Sequence, residues 1–137
     1  MSASSTVSDD YIKKQQELSL LSKQLIEQIA LVSQAKEQYE IYCYKAIEYL
    51  TGEPCKKDNK ILFDRLTAIL EKMWAQIKSG KVKSLSELNF DDDFASLPNT
   101  YKSLIKFYFV RFAYEFKYMS SLLIKWDECA QEVNQKS

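Results

Sequence analysis

The chain has 137 residues, enough for one domain, and 46% of them are hydrophobic, which excludes wholesale disorder. Two glycines and two prolines are too few for an all-β fold, which needs turn residues at short, regular intervals. Lysine plus arginine equals aspartate plus glutamate at 19 each, so no chain-wide basic field exists for nucleic acid, and the absence of histidine removes the commonest general base and metal ligand.

Residues 1–7 are small and polar and read as a disordered tail, with Ser8 as a helix N-cap and Asp9 and Asp10 in the first turn, where the helix dipole favours negative charge. The first ten residues lack the basic and apolar regions of a secretory signal, and no apolar run approaches a membrane span. An intracellular protein, cytoplasmic or nuclear, is expected.

From Asp9 to Thr51 there are 43 residues without glycine or proline. A heptad runs through them with position a at Tyr11, Leu18, Leu25, Val32, Tyr39 and Ala46, and position d at Lys14, Leu21, Gln28, Ala35, Tyr42 and Tyr49. This predicts a helix over about 9–51, some 65 Å long. Its early stripe is narrow. From Tyr39 to Leu50 the stripe widens to take in Ile41, Cys43, Tyr44 and Ile47, so the later half belongs inside a bundle and the earlier half contacts fewer neighbours. Thr51-Gly52-Glu53-Pro54 ends the helix. Gln28 and Lys14 at d positions suit either a register-setting role or a stretch where the partner helix is absent.

A second helix is predicted over about 59–79, starting at Asp58 or Asn59, on the face Leu62, Leu66, Ile69, Leu70, Met73 and Ile77. Gly80 ends it. The connection over 81–98 is long; Ser84 and Glu87 resemble a capping box, and Phe90, Phe94 and Leu97 are spaced to pin it to the bundle. A third helix is predicted over about 100–133, with Ile105, Phe112, Met119, Trp126 and Val133 at one heptad position and Phe109, Phe116, Leu123 and Ala130 widening the face. The alternation from Phe112 to Tyr118 also resembles a strand, but the helical period continues on both sides without a breaker. The expected core centres on Tyr42, Ala46, Leu66, Ile69, Met73, Ile105, Phe112 and Phe116.

No constellation names a reaction. Cys43, Cys55 and Cys129 are odd in number and lack metal-ligand spacing; Cys43 and Cys129 read as small apolar residues and Cys55 as an exposed loop residue. Asp91-Asp92-Asp93 lacks the alternation and following glycine of a calcium loop. Tyr39, Tyr42, Tyr44 and Tyr49 suit packing against the aromatics of the third helix better than a ligand pocket. No catalytic residue, cofactor or metal is expected.

The expected fold is an all-α, mostly antiparallel bundle of three main helices in a single domain over 8–134, its first helix coiled-coil-like and partly overhanging. The expected function is a non-enzymatic structural or adaptor subunit that binds protein, through self-association or a hetero-complex. The partner-binding residues would be Leu18, Leu21, Leu25 and Val32, with Phe107, Tyr114 and Tyr118 on an outer aromatic face. A helical chaperone or inhibitor gripping a partner helix is the second reading. A helical-bundle small-molecule binder is the third.

Overall fold

The computed structural model describes residues 2–54, 60–90 and 94–136, with side chains from residue 9 to residue 135. Three α-helices make up the fold: α1 (Ser2–Thr51), α2 (Lys60–Lys78) and α3 (Asn99–Lys136). No strand occurs among the described residues, and Phe112 to Tyr118 is helical. Helix α1 is assigned from Ser2, so Asp9 and Asp10 lie inside it rather than in its first turn. The side chains of residues 2–8, including the expected Ser8 cap, lie outside the described residues, as do Cys55, the expected α2 cap at Asp58 or Asn59, and Asp91 to Asp93. At its other end α1 closes as its sequence dictates. Gly52 takes φ 71°, the left-handed conformation that side chains resist, and its N–H donates to Glu48 O at 2.8 Å. Gly80, at φ 77°, does the same service just after α2.

The chain forms two compact units, residues 34–114 and residues 1–33 with 115–137. Both α1 and α3 contribute to each unit; α2 belongs to the first alone.

In the unit of residues 34–114, ring contacts set the helix directions. Tyr49 meets Tyr101, Tyr42 stacks on Tyr108 at 5.0 Å, and Tyr39 meets Phe112 at 5.0 Å. Falling numbers in α1 pair with rising numbers in α3, so these helices are antiparallel. Tyr44 stacks on Phe63 and Trp74 meets Tyr114 edge-on, so α2 runs the same way as α3. That arrangement explains the long connection. The chain leaves α2 at the wrong end for α3 and must travel back about 28 Å, the length of a 19-residue helix. The return path is packed. Leu88 and Phe94 are fully buried and Leu97 nearly so, joining Ala46, Leu66, Leu70 and Ile105 in one core. Ser84 caps a 3-10 turn, Leu85–Glu87, and its hydroxyl accepts from Ser86 N. The Glu87 carboxylate accepts from Lys83 N at 3.0 Å, one residue before the position a capping box would use.

The expected core holds in part. Ala46, Leu66, Met73 and Ile105 are buried, and Tyr42, Ile69 and Phe112 are half-buried against the cluster. Phe116 is a correction, because it is 48% exposed. It belongs to the other unit, where α1 and α3 have no third helix with them. Two helices bury only a narrow seam between them, and Phe116 sits at its margin.

That second unit is an antiparallel helix pair. Gln28 bonds Glu115, Trp126 Nε1–H donates to Ser22 Oγ at 2.8 Å, and Cys129 Sγ reaches Lys14 O at 3.6 Å. Leu25, Val32, Leu122, Cys129 and Val133 fill the seam. Within this unit α3 accompanies α1 as far as Lys14.

Candidate protein-binding surfaces

The residues expected to bind a partner through α1 lie in this seam. Leu25 and Val32 are buried, and Leu18 and Leu21 are half-buried. Their chain neighbour is α3. The polar d residues are matched to α3 as well. Gln28, 4% exposed, donates through Nε2 to Glu115 O at 2.9 Å and to the Glu115 carboxylate at 2.5 Å. Lys14 pairs with Glu132 at 2.6 Å and Glu17 at 3.6 Å, and the Glu132 carboxylate, by hydrogen bond and charge, holds its ammonium above the ordinary lysine range. A buried amide whose acceptors both belong to Glu115 favours one register, because sliding the helices would leave it unpaired. Gln28→Ala is expected to cost about 1–3 kcal/mol in denaturant titration, from the cavity and the lost bonds. A neutral result would show that the amide does not align the helices.

The helix pair has two unlike flanks. Lys14, Glu17 and Leu21 of α1 line one flank together with Lys125, Glu128 and Glu132 of α3. Positions on the far side of the seam form the other. They are Ile26 and Ile29 on α1, 69% and 50% exposed, and Phe116 and Leu123 on α3, each 48% exposed. Heptad equivalence shows what this second flank lacks. Ile26 and Ile29 occupy the positions that Ile47 and Cys43 occupy three heptads or two heptads later, and Phe116 and Leu123 repeat Phe109. In the unit that contains α2, Ile47, Cys43 and Phe109 are buried at 0%, 0% and 5% exposure. The same sequence pattern is covered where a third helix is present and bare where it is absent.

The outer aromatics divide. Phe107, 55% exposed, packs edge-on against Tyr108 and borders an open apolar hollow with Leu85 and Leu104. Tyr114, 53% exposed, lies edge-on against Trp74 and helps seat α2 on α3. Tyr118 is 54% exposed and sits on α3 in the helix-pair unit. The structure does not bring Phe107 and Tyr114 together with the α1 stripe in one unit. Sequence reading missed Ile26 and Ile29. Their signal was an apolar residue off the a and d positions, repeated at a spacing of three.

Tyr39, Tyr42, Tyr44 and Tyr49 of α1 are each engaged in a ring contact. Tyr39 is 5% exposed, edge-on to Phe109 at 5.3 Å. Burial pushes its hydroxyl up to about 12. The folded state thus favours the neutral phenol. That preference is fully present below the unfolded value near 10 and is lost as pH rises through the folded value near 12. The protein is expected to lose stability between these limits relative to Tyr39→Phe, by up to about 1.4 kcal/mol per pH unit. Parallel melting curves of the two proteins over that range would contradict this. Burial also pushes the Cys43 thiol up to about 12, which makes it a poor nucleophile. Among the described residues no group of acidic, cysteine or histidine side chains could hold a metal ion, and no helix is long and apolar enough to cross a membrane.

Compared with protein-family models, curated proteins and solved structures, the chain matches none of them.

Proposed function

We propose that this protein is a non-enzymatic structural or adaptor subunit of an intracellular assembly, binding other polypeptide through the coiled-coil-like pair of α1 and α3. The observation that carries this reading is the solvent-exposed apolar flank of Ile26, Ile29, Phe116 and Leu123, each at least 48% exposed. Four large apolar side chains on one side of a helix pair make a contiguous patch of the kind that marks interfaces. The interface first expected at Leu18, Leu21, Leu25 and Val32 moves by this reading to the adjacent flank, because α3 already packs on that stripe. Phe107 remains a secondary contact, beside its apolar hollow. The absence of histidine, the neutral overall charge and two arginines in the whole chain support a protein partner over a reaction or a nucleic acid.

Affinity purification of the tagged native protein under mild salt tests this reading. A stoichiometric polypeptide partner, another copy included, is the expected result. A protein that elutes as a lone monomer at cellular concentrations would overturn it.

A further inference from the structure

The bare flank also has a chemistry that selects its occupant. We infer that it is occupied by the same flank of a second copy of this chain, the two helix pairs closing into a four-helix bundle about a twofold axis. This inference rests on the proposed interaction function and names the partner.

Charge is the first ground. Along α1 the flank reads Ser19, Ser22, Ile26, Ile29 and Ser33, and its α3 edge reads Phe116, Ser120 and Leu123; none of these is charged, and the first charge on that edge is Asp127, seven residues after Ser120. The opposite flank carries Lys14, Glu17, Lys125, Glu128 and Glu132. An uncharged apolar face is complementary to itself, whereas a helix with a charged face would bury its charges there unpaired. The chain's formal net charge is zero, so no long-range repulsion opposes the approach of two copies.

The hydroxyls on the flank are the second ground. Ser22 Oγ donates to Leu18 O at 2.8 Å and accepts from Trp126 Nε1 at 2.8 Å. Ser120 Oγ donates to Phe116 O at 3.1 Å. The bonds of Ser22 and Ser120 are made within the chain, so covering these two hydroxyls orphans neither donor.

Heptad equivalence with a covered face is the third. The equivalent heptad positions, at Cys43, Ile47 and Phe109, are buried in the unit that includes α2. A dyad-related helix pair supplies comparable helical cover, and an isologous contact needs only one patch per copy.

Sedimentation equilibrium of the full chain tests the inference. The wild type is expected to be a dimer. Ile26→Glu with Ile29→Glu, and separately Leu123→Glu, should weaken it roughly 100-fold or more, as for residues at the centre of an interface. Both substitutions fall at exposed positions, so circular dichroism should be unchanged. Leu31→Glu, at a 42% exposed position off this flank, should leave the dimer intact. A dimer that survives both flank variants, or that Leu31→Glu dissolves, would overturn the inference. So would a wild type that stays monomeric at high concentration. If that monomer still co-purifies with a different stoichiometric protein, and Ile26→Glu with Ile29→Glu abolishes the association, only the self-pairing fails. If it co-purifies with nothing, the proposed function fails too.

Discussion

Phe94→Ala is expected to lower the unfolding free energy by about 3–5 kcal/mol, the range for removing a large aromatic from a close-packed core. Phe94 is the largest fully buried side chain among the described residues, yet it lies on the connection between α2 and α3 rather than on a helix. Its backbone carbonyl accepts from Leu97 N at 3.2 Å, so the turn that places it also places the buried Leu97. Removing the ring would open a cavity in the cluster that includes Leu88, Leu97 and Ile105, and would release the segment that returns the chain to the start of α3. For a domain with about 5–15 kcal/mol in total, this is a crippling loss. Phe112→Ala should cost less, because Phe112 is only half-buried. A Phe94→Ala loss below about 1 kcal/mol in denaturant titration would show that the connection does not belong to the core.

The second large effect lies in the helix pair. Leu18→Glu with Leu25→Glu puts one carboxylate at a half-buried position and another at a residue only 9% exposed, in the seam filled by Val32, Leu122, Cys129 and Val133. Helix propensity changes little. The cost is that of a buried charge without a partner, about 3–5 kcal/mol. Residues 9–33 and 115–135 should then lose amide protection. Residues 34–114 should keep theirs, since their unit has a separate core. Any assembly that uses the paired α1 and α3 should be lost along with them. Undiminished protection of residues 18–32 would mean that α3 does not hold this stripe.

Most of the fold was legible in the sequence because its signals are local. The heptad that begins at Tyr11, the Gly52 and Gly80 stops and the proline before Asn99 each act within a few residues, and the helices end where those residues require. Phe94 and Leu97 could be read as anchors by their spacing alone. What periodicity does not encode is which helix covers which face. The stripe Leu18, Leu21, Leu25 and Val32 looked like an unpartnered arm because the direction of α3 is decided by the path of the connection, a tertiary matter. For the same reason Phe116 resembled Phe112 and Phe109 on a helical wheel. Its environment depends on whether a third helix reaches it. Ile26 and Ile29 were overlooked because a search for the seam passes over the apolar residues beside it.

Hydroxyl-radical footprinting of the protein purified in its native assembly, set against the same chain diluted to its dissociated form, reads the flank directly. Assembly is expected to shield Ile26, Ile29, Phe116 and Leu123 from oxidation and to leave Leu31 and Tyr118 labelled as before. Equal labelling of the four in both forms, or shielding of Leu31 and Tyr118 in their place, would contradict an interface on this flank.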